Sequence, residues 1–141
     1  MFVDTNVLVY ALAEGAPYRD TARSALARYG ASGEALCISR QIVREFLAVI
    51  TRPRSWARAQ RAADGVAVAQ ALMRDFDVLE DGPSVRDRMA ALCRDFPFGG
   101  RQVHDANIVA TTLAHGEQRL LTFSSANFQR FGSVITIESL P

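Results

Sequence analysis

Short, almost wholly apolar runs alternate along the chain with longer stretches whose apolar residues recur every three or four positions. The runs are Phe2-Val3, Ala35 to Ile38, Phe76 to Leu79, Arg119 to Thr122 around Leu120-Leu121, and Val134 to Ile137. Their brevity and composition predict strands buried on both faces. The Asp4-Thr5-Asn6 cluster is a helix-start signal, so Val7 to Leu12 reads as a helix with Asp4 at the carboxyl end of the first strand. Tyr18 to about Tyr29 carries Ala22, Ala25, Leu26 and Tyr29 on one helical face. Ser39 is placed to cap a helix running to about Thr51, with Ile42, Val43, Phe46, Leu47 and Ile50 as its stripe.

Further helices are predicted over Ala57 to about Arg74, Ser84 to Phe96 and His104 to His115, the last ended by Gly116. In the first of these, Gly65 reads as a flaw costing ~1 kcal/mol against Ala. Ser124 to Phe131 reads as a loop or one helical turn. The alternation predicts one α/β domain over residues 1–141, with a short, largely parallel central sheet covered by helices on both faces.

Composition narrows the chemistry. With 49% hydrophobic and 22% charged residues, the 141-residue chain has a globular balance, not that of a disordered or coiled-coil chain. A net charge of +1 excludes a histone-like binder, so any nucleic-acid contact needs a local basic patch. All 16 basic residues are Arg. The absence of Lys removes P-loop phosphate binding, Schiff-base chemistry and protein-kinase catalysis. Both Cys, 37 and 93, sit in segments that read as buried, without metal-pair spacing, which suits a reduced, cytoplasmic setting. No signal-type leader and no apolar stretch near the roughly 20 residues that span a bilayer is present, so no membrane association is expected.

Ligands of open parallel sheets gather beyond the carboxyl ends of the strands. The polar residues there are Asp4, Ser39 with Glu45 on the helix it starts, and Thr122, Ser124 and Asn127; Asp105 opens the His104 helix. Asp4 and Asp105 also read as helix caps, and Glu45 as an exposed helical residue. Together they are three carboxylates brought from distant segments with no Lys to neutralise them. Such a set calls for a hard cation, Mg²⁺ or Mn²⁺. His104 and His115 share a presumed helix face but stand ~16 Å apart, too far to hold one ion.

Four segments resemble the motifs of the PIN domain. They are Phe2 to Tyr10, Ser39 followed by Glu45-Phe46, Val103 to Ala110 around His104-Asp105, and Leu121-Thr122-Phe123 with Asn127-Phe128. In size the chain is most similar to the VapC-type toxins of toxin–antitoxin pairs. The resemblance implies a metal-dependent endoribonuclease, commonly a homodimer, inhibited by a small VapB-like antitoxin. By position, Asp4, Glu45 and Asp105 match the acidic residues that hold the ion and act in catalysis. Thr5, Asn6, Ser39 and Thr122 match the polar positions that orient them. The fourth motif departs, because Ser124 and Asn127 stand where acidic residues are common; they bring oxygens without charge, which weakens the case for a second tightly held ion.

Arg52, Arg54, Arg58 and Arg61 cluster around Trp56, with Arg40 and Arg44 on the Glu45 helix. Arginines grip phosphates and an aromatic ring stacks on an unpaired base, so Arg52, Arg54 and Trp56 are candidate RNA contacts. The plainer reading is a solvated basic face with Trp56 in the core. Carboxylate-and-metal hydrolysis has no use for a 2′-hydroxyl, so the preference for RNA rests on the resemblance alone. Two other functions compete. One is a PIN-like module that binds RNA or protein without cutting. The other is a phosphohydrolase using Asp4 as nucleophile, which is disfavoured because Asn6 stands where a second Asp is wanted.

Overall fold

The computed structural model describes all 141 residues. Five strands form one sheet: β1 (Phe2–Val3), β2 (Cys37–Ser39), β3 (Asp77–Leu79), β4 (Arg119–Thr122) and β5 (Thr136–Ser139). Every pairing is parallel, and the order across the sheet is β3-β2-β1-β4-β5. β1 and β2 are wholly buried, as are the last three residues of β4, while the edge strands are partly open. The central strands can therefore be continuously apolar, since neither face meets water.

Seven helices connect and cover the strands: α1 (Thr5–Leu12), α2 (Arg19–Ala31), α3 (Arg40–Ile50), α4 (Ala62–Asp75), α5 (Pro83–Asp95), α6 (Gln102–Ala114) and the short α7 (Ser125–Phe128). The core gathers Phe2, Leu8, Ile38, Ile42, Phe46, Leu120 and Leu121. Each such side chain contributes roughly 1.5–3 kcal/mol on full burial. The expected α/β domain with a parallel sheet is observed.

Several boundaries move, each for a local reason. Residues 57–61 are a loop, not the start of α4. Arg54 and Ala57 exchange backbone hydrogen bonds there, and the Gln60 amide donates to the Ile50 carbonyl at 2.9 Å. The segment 125–131 becomes α7 followed by a 3-10 turn over Gln129–Phe131, which together bury Phe128 and Phe131. β5 starts two residues later than expected because the Val134 and Ile135 amides both donate to the Phe131 carbonyl. Cys93 is exposed, not buried; α5 buries only Val85 and Leu92 along its length. Both cysteines are free thiols. No helix is long and apolar enough to cross a membrane.

Gly65 is not a flaw. A β-carbon on it would stand 3.0 Å from Ile50 Cδ1 and 3.2 Å from Leu47 Cδ2, so glycine lets α4 close on α3. The helix-propensity gain of Ala, ~1 kcal/mol, is opposed by an overpacking cost of roughly 1–3 kcal/mol. Gly65→Ala is expected to leave the melting temperature unchanged or lower in a thermal unfolding experiment. A rise of several degrees would show that the α3–α4 contact is looser than described.

Candidate active site

The strand order reverses between β1 and β4, and Asp4 lies at that point. Its amide still pairs with the Leu121 carbonyl of β4 at 3.0 Å, while its own carbonyl accepts from Val7 in the first turn of α1. The residue thus belongs half to the sheet and half to the helix. Its carboxylate does not cap α1. Oδ2 instead accepts from the Thr122 hydroxyl at 2.6 Å and from Asn6 Nδ2 at 2.8 Å. The side chains at the carboxyl ends of β1 and β4 are therefore joined across the switch point, where open parallel sheets bind ligands.

Asn6 ties this corner together. Its Nδ2 also approaches Thr122 Oγ1 and Ser124 Oγ, each at 3.1 Å, and its Oδ1 accepts from the Phe123 amide at 3.1 Å. Thr122 Oγ1 in turn accepts from the Ser124 amide at 2.9 Å. Thr122 itself is fully buried, so its hydroxyl proton and lone pairs are all committed.

Glu45 comes from α3. Ser39 caps that helix, its hydroxyl accepting from the Ile42 amide at 3.4 Å. Ser39 is buried and does not face the cleft; it acts through the helix it starts. Thr5 Oγ1 donates to Glu45 Oε2 at 2.8 Å and Gln41 Nε2 to Oε1 at 2.7 Å. Gln41 also donates to the His104 carbonyl at 3.0 Å and accepts from Asn107 Nδ2 at 2.8 Å, which couples α3 to α6.

Asp105 sits inside the first turn of α6, whose N-cap is Arg101, so it is not a cap. It is half-buried, and no hydrogen bond or ion pair engages its carboxylate. Asp4, Glu45 and Asp105 line one cleft of about 880 Å³. Burial, opposed by the hydrogen bonds from Thr122 and the Thr5 amide and helped by the charges of Glu45 and Asp105, pushes the Asp4 carboxyl up to about 6. Asp105 is raised by burial and then by Glu45, with Arg130, His104 and Arg101 opposing. The three acids therefore share a field, yet no three acidic, His or Cys side chains close into a metal-binding cluster by themselves. A hard cation that keeps part of its water shell fits this donor set, as Mg²⁺ prefers; a fully caged ion does not.

Thr5, Asn6, Ser124 and Asn127 also line the cleft, as do Arg52, Arg54 and Trp56. Of the other expected basic residues, Arg44 lines it, Arg58 lines a neighbouring cavity, and Arg40 turns away to pair with Glu80 at 2.7 Å. His104 lines the cleft from an exposed position, whereas His115 closes α6 and contacts the Glu80 carbonyl at 2.9 Å. Trp56 is half-buried, edge-on to Tyr10 at 6.1 Å between ring centres, so it is neither wholly core nor wholly surface.

The family model of the PIN domain matches residues 1–133. The chain belongs to the PIN domain family. No curated protein matches the sequence. Among solved structures, VapBC2 from Rickettsia felis, bound to a DNA fragment from the VapBC promoter, superposes with a TM-score of 0.70 at 15% identity, covering 98% of this chain and 96% of that one. The sarcin-ricin loop cleaving toxin VapC20 of Mycobacterium tuberculosis gives 0.65 at 20% identity, with 99% and 98% covered. DNA-bound VapBC from Salmonella typhimurium gives 0.67 at 20%, with 98% and 96% covered. At these identities the likeness is one of fold, and it spans the whole PIN domain.

Sequence reading missed Gln41 and Asn107, which couple α3 to α6, and Arg101 and Gln102, which line the cleft. Gln41 had a usable signal: it lies four residues before Glu45, hence on the same helix face.

The raised Asp4 pKa gives a signed expectation. In metal-free protein the fold holds a proton on Asp4 that the unfolded chain releases near its ordinary value of 3.8. That stabilisation is complete below 3.8 and disappears as pH rises through about 6. Asp4→Asn has no such loss. In chelator, its melting temperature relative to the parent is expected to climb between pH 4 and pH 7; a difference that stays flat or shrinks would contradict the assignment.

Proposed function

We propose that this PIN domain is an endoribonuclease that hydrolyses RNA phosphodiester bonds with Mg²⁺, or Mn²⁺ in its place, and is the toxin of a toxin–antitoxin pair. One observation carries the reading. Three carboxylates from three distant segments line a single cleft, none of them is held in an ion pair, and Asp105 has no hydrogen-bond partner either. A carboxylate with no protein partner beside two others is costly unless a cation or a proton relieves it.

Asp4 and Asp105 are the residues that would hold the ion directly, with Glu45 reaching it directly or through water. When bound, the ion stabilises charge on the phosphoryl oxygens and acidifies a water. The chain's own residues do the positioning. Thr122 and Asn6 fix the Asp4 carboxylate at the sheet edge, and Thr5 and Gln41 hold both oxygens of Glu45. Glu45, so held, is placed to accept a proton from an attacking water. Ser124 and Asn127 offer neutral oxygens in the same cleft, which orient water without adding charge. Arg52 and Arg54 supply guanidinium groups for the substrate backbone.

A small VapB-like antitoxin, a homodimer and a cytoplasmic setting belong to the same proposal. Its support is the fold shared with chains of several VapBC toxin–antitoxin structures.

Asp105→Asn removes one repelling charge and breaks no hydrogen bond. Its metal-free melting temperature is expected to equal or exceed the parent's, while cleavage of RNA in Mg²⁺ falls by at least about a hundredfold. Mg²⁺ or Mn²⁺ is expected to raise the melting temperature of the parent and much less that of the variant. Unfolding of the variant, or cleavage at the parental rate, would overturn the reading.

A further inference from the structure

A second cavity of about 430 Å³ lies beside the acidic cleft and shares a wall with it. Its floor is apolar, built from Val9, Ala13, Val49 and Ile50. Arg52, Arg54 and Trp56, with Val9 and Val49, line both cavities. Arg58 and Gln60 line only the smaller one, and Glu14 is its single acidic residue. Its volume falls within the range of small-ligand pockets, roughly 300–1,000 Å³.

The wall is a built feature. Gly15, in the turn after α1, has a φ of 77°, and a β-carbon there would lie 2.7 Å from the Trp56 carbonyl oxygen. Glycine thus allows the Trp56 loop to seat against that turn. The loop is closed by the Arg54–Ala57 backbone pair at 2.8 Å and anchored to α3 by Gln60. Trp56 meets Tyr10 edge-on, and Tyr10 meets Phe123 at 5.0 Å, next to Thr122. A run of aromatic rings therefore leads from the second cavity to the carboxylates. Arg52 spends its Nε on the Ala48 carbonyl, and no carboxylate pairs with Arg54 or Arg58.

We propose that this second cavity is a base subsite. It takes the unpaired base of a nucleotide beside the scissile bond, stacked on Trp56, with that nucleotide's phosphate on Arg54 and Arg58. The proposal rests on the RNA-cleaving reading above and adds where a base is read. An aromatic side chain beside an apolar lining, with Arg54 and Arg58 free of carboxylate partners, suits a flat, anionic guest better than a peptide segment. Base identity at that position then affects cleavage through Gln60 and Glu14, the polar groups at the rim able to bond a base edge.

Trp56 is the only tryptophan, so all tryptophan emission comes from the wall that the two cavities share, and a substitution confined to the smaller one tells which of them is filled. The experiment is a fluorescence titration of the whole protein in chelator with adenosine 5′-monophosphate, and in parallel with ribose 5-phosphate. The nucleotide is expected to quench saturably and the sugar phosphate not to. Arg58→Ala should weaken the quenching affinity by about tenfold. Ala59→Phe, an exposed position on the wall of the smaller cavity only, should fill it and remove the quenching. Absence of quenching by the nucleotide, equal effects from both compounds, or quenching unchanged in both variants would overturn the subsite. A protein that cuts RNA without this quenching loses only the subsite. One that shows the quenching but never cuts loses only the nuclease reading, and nucleotide binding stands.

Discussion

The site depends on concentrated negative charge at the carboxyl edge of a parallel sheet, held by the 2.6 Å hydrogen bond between Thr122 and Asp4. That bond spans the place where chain order reverses across the sheet. It could be made only because β1 and β4 are adjacent, although 118 positions separate the two residues. A buried carboxylate would ordinarily lose its charge, and the Asp4 carboxyl is indeed pushed up to about 6. Two further acids facing the same cleft add to that pressure. The fold tolerates this because Asn6, Thr5 and Gln41 satisfy the acids they touch, leaving Asp105 as the group without an internal partner.

The neutral fourth motif changes the balance of the cleft. Ser124 is drawn to Asn6, and Asn127 stays exposed, so that wall adds oxygens but no charge. The cleft also carries arginines: Arg44 on the helix that bears Glu45, Arg101 at the start of the helix that bears Asp105, and Arg52 and Arg54, with Trp56, where α3 runs out into its loop. On the proposed reading a polyanionic strand lies along these arginines while a bond is presented to the acids. The same loop is sealed against the α1–α2 turn through Gly15, so a backbone feature of one connection shapes the cavity wall built by another.

Much of this was legible in the residues. The central strands announced themselves as short apolar runs, because strands buried on both faces have no polar positions to hide, whereas the partly open edge strand β5 was legible only as a run near its place, with its bounds shifted. Asp4, Glu45 and Asp105 were legible as polar residues beyond strand ends or within apolar segments. What local pattern could not show was the strand order, which depends on pairing between distant segments. Nor could it show that Gln41 links Glu45 to α6, since a helical glutamine reads as surface until its partners are known. Gly65 misled for a related reason: propensity describes an isolated helix, and the space taken by Ile50 and Leu47 belongs to another. Ser39 was placed correctly as a cap, and the structure shows that capping is how it serves the site.

The central claim is that the acids act on one another through a shared field, and a double-mutant cycle tests it most directly. Metal-free stability would be measured by chemical denaturation for the parent, Glu45→Gln, Asp105→Asn and the double variant at pH 7.5. Each single change relieves the same repulsion, so the double variant should gain less than the sum of the two. Strict additivity would mean that Glu45 and Asp105 do not sense each other, and the shared acidic cleft would then be wrong.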